Sequence, residues 1–390
     1  MKCVSALSTA RSASTAFHQI LERLDAEPDA EASPADLTVI FSSRHHAGVL
    51  AKLSQAFLEQ GRTRHVLGCT GEAIVGDAQE IENKPALAVW TLRHPDIEVQ
   101  PIRFDPGGGS LRQSLASLEK PGESTLILLA DPFSFGINDL LKLTNEEHPG
   151  LRIVGGMASG GAEPGVNRLL LDGEAYTDGA VALRLSGPIG IRTVVSQGCR
   201  PIGRTMLVTR AEQNIIRELG RRPALEALRE VFRDLPEEDV ERVQEGLHLG
   251  RVINEYQESF HRGDFLVRNV VGADESGAIQ INDLIRVGQT VQFHVRDAET
   301  ADEDLRESLL QRPKGDPGGM VPVGALLFSC NGRGTRLFKT PDHDAKAIRD
   351  VLGPIPVAGF FAMGELGPIG GQNFVHGFTA SVAVFEQPAA

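Results

Sequence analysis

The sequence predicts an α/β fold of the α+β kind: two mixed-sheet domains with packed helices and a helical insertion in the second. Three observations carry this. Apolar strand-like runs alternate with amphipathic helix-like segments through the first half. A chain of 390 residues exceeds what one ordinary core organises. A charged stretch rich in Glu, Arg and Leu, at about 212–257, breaks a series of strand-patterned segments in the second half. The expected domains are 1–187 and 188–387.

Taken in order, Val4–Ser8 reads as a strand, and Thr15–Leu24 as a helix with Phe17, Ile20, Leu21 and Leu24 on one face. Leu37–Phe41 is a buried strand, a helix follows near Ala47–Glu59, and Val66–Cys69 is a third strand ending in Thr70-Gly71-Glu72. Leu87–Leu92 and Ile97–Phe104 are neighbouring strands, Leu126–Ala130 is a strongly apolar one, Asn138–Thr144 begins a helix, and Arg152–Val154 runs into Gly155-Gly156. Asn167–Leu171 and Gly179–Leu185 are expected to close the first half as an antiparallel pair. In the second half Gly190–Ser196 and Thr205–Thr209 are strands around a turn at Gly198–Pro201. Leu225, Leu228 and Val231-Phe232 give the charged stretch helical periodicity, broken at Leu235-Pro236. Phe265–Val271, Ala278–Ile281 and Thr290–Val295 return to strand patterning. Thr300–Leu310 is a helix with acidic residues in its first turn, where the helix dipole favours them. Gly315–Gly319 is a loop, Val323–Ser329 a buried strand, and no tandem repeat at solenoid spacing is visible.

A formal charge of -13 without basic runs argues against nucleic acid as the main partner, since neutralising phosphates needs clustered Lys and Arg. The four cysteines, Cys3, Cys69, Cys199 and Cys330, lie far apart without Cys-x-x-Cys pairing, so neither a zinc ribbon nor a disulfide framework is indicated, and a reducing cytoplasm fits best. Lys2 is followed by Ser, Thr and Arg11 in place of a continuous apolar run, and no later stretch reads as a membrane span; neither secretion nor membrane insertion is expected.

Chemistry concentrates in the closing stretch. Between the apolar strands Val357–Phe361 and Phe378–Phe385 lies a Gly-rich loop holding Gly364, Glu365, Asn373 and His376. Read locally it is either a small-ligand site or a set of turns between core strands, and local chemistry alone favours turns. Phe328-Ser329-Cys330-Asn331-Gly332-Arg333 follows a buried strand and puts a thiol, an amide and a guanidinium on one turn; Arg333 is suited to a bidentate pair with a carboxylate. Gly68-Cys69-Thr70-Gly71-Glu72 ends a strand in a polar turn, where α/β proteins often present ligand groups, although Cys69 reads equally as a small buried hydrophobe and Glu72 as a helix cap. Gly155-Gly156, opening a run to Gly161, is a candidate backbone nest for an anion, without the spacing of a nucleotide-binding loop. Cys330, His376 and Glu365 compose a cysteine-hydrolase set on paper. His45-His46 follows a strand without zinc-hydrolase spacing, and Arg262-Gly263-Asp264 reads as a turn before a strand.

Together these motifs resemble the FIST family of sensory domains over nearly the whole chain. The N-terminal part rests on Ile40-Phe41-Ser42-Ser43, Gly68–Glu72, Val154-Gly155-Gly156-Met157-Ala158 and Tyr176–Val181. The C-terminal part rests on Val195–Pro201, Phe265–Asn269, Phe328–Arg333 and Gly359–Pro368. The resemblance implies an N-terminal FIST domain at 1–187, a C-terminal one at 188–387, and a cytoplasmic signal-input protein that binds a small molecule, proposed in the family to include amino acids. A separate signalling protein is the expected output partner. The expected site is Arg333, Asn331, Cys330, Glu365 and Gly364 with Phe360 or Phe361 as an apolar wall, extended by Asn373, His376, Cys69, Glu72, Gly155 and Gly156; Arg333 would pair an amino acid's carboxylate and Glu365 its ammonium. Neither catalysis nor a cofactor or metal is expected. The alternatives are a haem-based gas sensor, a protein-interaction scaffold using the charged stretch, and a Cys330-dependent hydrolase or transferase.

Overall fold

The computed structural model describes residues 1–27, 33–106, 111–116, 118, 124–261, 263–312 and 319–389. The predicted turn residue Arg262 and most of the predicted loop Gly315–Gly319 lie outside them. The chain divides into a first unit, Met1–Val195 with Leu305–Val375 and Thr379–Ala390, and a second, Ser196–Asp304 with His376–Phe378. This differs from the expected division at 187/188, because strands from the last third of the chain complete the sheets of the first.

The first unit is built from one design used three times. Each time, two parallel strands flank a helix: Ala35–Ser43, Leu50–Glu59 and Thr63–Gly71; Thr125–Ala130, Ile137–Glu147 and Arg152–Met157; Met320–Cys330, His343–Leu352 and Val357–Ala362. Each second parallel strand is followed by a hairpin, and none of the three hairpins stays in its own sheet. Ala73–Gly76 with Gln79–Glu82 adds to Val357–Ala362, Glu365–Ile369 with Gln372–His376 adds to Arg152–Met157, and Leu169–Leu171 with Glu174–Tyr176 adds to Thr63–Gly71. The exchange closes on itself as a ring of three. On the other flank, each first parallel strand pairs antiparallel with the strand that follows the hairpin in sequence, Leu87–Arg93, Ala180–Ser186 or Thr379–Pro388.

The inner faces of the three sheets meet in one core. Phe41, Phe328 and Phe360, one from the first sheet and two from the third, pack there with ring centroids 5.1–6.2 Å apart, together with Leu129 and Val154 from the remaining sheet. The outer faces are covered by helices. Ala16, Ile20 and Phe57 pack on the first sheet, Leu115, Leu140 and Leu141 on the second, and Leu305, Ala345 and Ile348 on the third. Strands buried on both faces read as continuous apolar runs, which is why Leu126–Ala130 and Leu37–Phe41 are so legible in the sequence.

Several expectations change. Leu169–Leu171 and Ala180–Ser186 do not pair with each other; they enter different sheets. The hairpin Ala73–Glu82, the helix His343–Leu352 and the strands Glu365–Ile369 and Gln372–His376 are elements the sequence reading leaves out.

In the second unit a seven-stranded antiparallel sheet runs from Cys199–Glu212 to Arg222–Pro223, and its first strand also pairs with Ile215–Leu219, curling the sheet into a barrel. The helical insertion is shorter than 212–257: only Ala224–Arg233 and Glu237–Glu245 are helical. The flanks are the strands Ile215–Leu219 and Leu247–Val252. Gly198–Pro201, expected as a turn, mostly forms the start of the long strand.

Candidate functional site

All three parallel strand pairs end in one region, the place where open α/β sheets present ligand groups. Ser159 pins it. Its hydroxyl donates to the Phe361 carbonyl and accepts from the Glu72 N–H at 2.9 Å, while its own N–H donates to the Thr70 carbonyl at 3.1 Å. Met157 and Met363 add backbone bonds, Met157 N–H to Gly364 O and Met363 N–H to Met157 O.

Cys330 is the last residue of its strand. Ser329 points outward and donates to Asp344 at 2.7 Å, so by alternation Cys330 shares the inward face with Phe328 and stands above the common core. Cys330 Sγ accepts from the Gly332 N–H at 3.4 Å and hydrogen-bonds to Glu365. It is partly exposed, whereas Cys3, Cys69 and Cys199 are buried. Glu365 is fully buried; its Oε2 accepts from the Thr379 N–H at 3.2 Å and its Oε1 has no partner. Burial pushes the carboxyl up to about 8, against the opposing pull of the Thr379 N–H, Cys330 and the Arg333 charge.

Arg333 is also fully buried, and its fork is occupied. Nε and Nη2 each donate to Asp344 at 2.7 Å. Burial disfavours both charges, yet mutual attraction overrides it, raising the Arg333 pKa and holding Asp344 well below the usual carboxylate range. Only Nη1 is left without a partner. The predicted bidentate clasp of a ligand carboxylate by Arg333 is therefore corrected: the protein supplies that carboxylate itself, from the helix His343–Leu352. Glu80, on the exchanged hairpin, accepts from the Asp344 and Ala345 N–H groups at 2.8 and 3.0 Å at the start of that helix. Burial first, and the Asp344 charge second, push its carboxyl up to about 8. The same hairpin's Glu82 accepts from the Thr335 N–H and hydroxyl. Gly334 makes the turn fit: at φ +58, a Cβ there would come within 2.5 Å of the Phe361 ring.

Of the predicted residues, Cys330, Asn331, Arg333, Gly364 and Glu365 are brought together, and Glu72 joins at the rim, where Arg336 bonds both its carboxylate and the Asn331 carbonyl. The structure places the others in packing or clamping positions. Phe360 is buried in the common core and Phe361 in the cluster beneath the helix, so neither forms an open wall. Cys69 is a core hydrophobe whose thiol burial pushes far up. Gly155 and Gly156 are strand glycines of close packing rather than a nest: a Cβ on Gly155 would sit 1.9 Å from Leu128 O, and one on Gly156 2.8 Å from the Ala362 Cβ. Asn373 is a clamp, accepting from the Ile153 N–H at 2.8 Å and donating to Leu151 O and Asn145 Oδ1. His376 is buried and belongs to the second unit.

Four of the twelve buried side-chain polar atoms without a partner among the described residues belong to this cluster: Glu80 Oε2, Asn331 Oδ1, Arg333 Nη1 and Glu365 Oε1. A cavity of about 720 Å³ lies elsewhere, lined by Leu24, Phe57, Arg62 and Arg93. No group of three or more His, Cys, Asp or Glu among the described residues is placed to hold a metal ion. Sequence reasoning missed Glu80, Asp344 and Ser159. Pro341-Asp342 ahead of Ala345-Lys346-Ala347-Ile348 is a helix-start signal that would have exposed Asp344.

An uncharacterised protein of Mycobacterium tuberculosis is 43% identical over 350 residues, 90% of this chain and 91% of that protein. An uncharacterised protein of Mycobacterium bovis is 42% identical over 350 residues, 90% of each chain. The FIST N domain matches residues 36–222 and the FIST C domain residues 224–368. The second match takes in Cys330, Asn331, Arg333 and Glu365, the first the Glu72 rim and the Ser159 pin, and with both matched over most of its length the chain belongs to the FIST family.

Proposed function

We propose that this chain is a sensory protein that binds a small molecule at the strand-end cluster and passes its state to a separate signalling protein. FIST domains are generally linked to signal transduction and small-ligand sensing. In this reading Cys330, Asn331 and Glu365 face the ligand, while Asp344 and Glu80 hold Arg333 in place behind them. The observation that carries it is the set of unpartnered buried atoms, Asn331 Oδ1, Arg333 Nη1 and Glu365 Oε1. Leaving such atoms unpaired costs about 1–3 kcal/mol each, a cost a ligand removes by bonding to them. The ligand binds directly, without a resident cofactor and without turnover. Four free cysteines support a reducing, cytoplasmic setting, and no helix among the described residues is long and apolar enough to cross a membrane.

Mass spectrometry of small molecules released from the denatured protein tests the reading. The wild type is expected to carry a compound that Asn331→Ala and Glu365→Ala proteins of unchanged circular dichroism have lost. Equal retention by the three proteins would sink the assignment.

A further inference from the structure

The three unpartnered atoms also specify what kind of molecule they take. Arg333 Nη1 is a donor, Asn331 Oδ1 an acceptor, and Glu365 Oε1 belongs to a fully buried carboxyl group. The buried cation of the cluster, Arg333, is already neutralised, since two of its guanidinium nitrogens sit at 2.7 Å on the two oxygens of Asp344; Arg336, at the rim, is likewise paired, with Glu72. A ligand carboxylate would therefore bring two acceptor oxygens and a negative charge to a single free guanidinium nitrogen, beside Asn331 Oδ1 and the Glu365 oxygen. A ligand ammonium would need Glu365 to give up the proton that burial makes it hold. An amide meets neither obstacle. Its carbonyl can accept from Arg333 Nη1, and its N–H can donate to Asn331 Oδ1 or Glu365 Oε1.

Resting on the site proposed above, we infer that its ligand is uncharged and amide-like, and that zwitterionic amino acids are poor ligands for it. Charge is sorted by Asp344: by occupying the fork of Arg333 it turns an anion site into a neutral one. Glu365 acts in its protonated form, so the isosteric Gln serves in its place.

The test uses Cys330 as the reporter, because the other three cysteines are buried and a thiol reagent labels Cys330 first. Protection from labelling is measured with sets matched in carbon skeleton, each holding a carboxylate, a primary amide and an amino acid: 4-methylpentanoate, 4-methylpentanamide and leucine; 3-phenylpropanoate, 3-phenylpropanamide and phenylalanine. Amides are expected to protect at concentrations at least about tenfold lower than the matched acids and amino acids, because each mismatched buried polar group is worth about a factor of ten or more. Glu365→Gln is expected to keep amide protection. Better protection by carboxylates or amino acids overturns the inference and leaves the site standing. No protection by any compound overturns the inference as well. If the same compounds then raise the melting temperature of wild type and of Asn331→Ala alike, they bind elsewhere, and the reading of the site falls with it.

Discussion

Replacing Asp344 by Asn should be among the most damaging single changes in the first unit, and its damage should depend on pH in a direction the structure fixes. Arg333 and Asp344 are both fully buried and joined by two bonds of 2.7 Å. Asn keeps the shape and removes the charge, so a guanidinium stays in the interior without its counterion. Breaking one partner of a buried pair costs about 3–5 kcal/mol, and Asp344 Oδ2 is also the acceptor for Ser329. Glu80 stands next to the vacated charge with one oxygen unpartnered. In the wild type it holds its proton up to about pH 8, through burial and the repulsion of Asp344; once that repulsion is gone it ionises more readily and can serve Arg333. The defect should therefore be largest near pH 5, where Glu80 is protonated, and shrink towards pH 8. Trp90 is the only tryptophan and is fully buried in the common core, so its fluorescence during urea unfolding follows the first unit. Arg333→Met combined with Asp344→Leu should recover most of the loss, as apolar replacements of buried ion pairs do. A loss below about 1 kcal/mol at both pH values, the scale of an exposed pair, would falsify the account of Arg333 as held by Asp344.

Wild-type stability should also fall as pH rises. Glu80 and Glu365 bind their protons more tightly folded than unfolded, 4.5 being the ordinary value and about 8 the folded one. The native state thus holds the extra protons between those values, and their contribution declines through that window by up to about 1.4 kcal/mol per pH unit for each group, then levels off; the buried His248 and His294, pushed down to about 4, oppose it below about pH 6.5, so the net fall is expected from there to about pH 8, where Glu80→Gln with Glu365→Gln should flatten the curve and a flat wild-type curve refutes the raised values. Gly334→Ala should cost about 1–3 kcal/mol, for its positive φ and the overlap with Phe361, and speed labelling of Cys330 by loosening the turn; an unchanged urea midpoint and labelling rate would contradict this. Asn373→Ala removes the clamp on Ile153 and Leu151 and should lower stability by about 1–3 kcal/mol while leaving labelling of Cys330 as in wild type; changed labelling with intact stability would restore Asn373 to the site.

The sequence shows the apolar strands well and the ring hardly at all, for a physical reason. Leu126–Ala130 is buried on both faces and speaks through composition. Ala73–Gly76 and Glu365–Ile369 are too short to show a period, the second being also interrupted by Gly367-Pro368, and each is received by a sheet edge from another part of the chain. No local pattern encodes that partner. The threefold repeat is hidden for a related reason: the first parallel strands begin at Ala35, Thr125 and Met320, and the spacing evens out only when the second unit, Ser196–Asp304, is set aside. At the site, the residue types of Cys330, Asn331 and Glu365 are legible as chemistry. The partner of Arg333 is not, because Asp344 reaches it from a helix eleven residues on whose existence decides whether that fork is free.

The repeat also bears on why one site is proposed and not three. Each first parallel strand ends opposite the same point of its neighbour: Ser43 pairs with Gly71, Ala130 with Met157 and Cys330 with Ala362. In the first copy the Ser43 hydroxyl takes the Ala86 N–H and meets His45. In the second, Ala130 has no polar group, and the next residue, Asp131, takes up Asn167, Ser134 and the Phe133 N–H. Those polar groups are used inside the fold. In the third copy the same position carries a partly exposed thiol, with Asn331 and Glu365 beside it keeping one oxygen each unbonded. The proposed site stands at this third end, where a partly exposed thiol and two unbonded oxygens lie together. Exchanging the ends should then move the function: Cys330→Ser retains the Ser43-like group and should keep ligand binding, whereas Cys330→Ala with Asn331→Asp copies the second end and should abolish it. Retained ligand in the double variant, measured by mass spectrometry of the denatured protein, would break this link between symmetry and site.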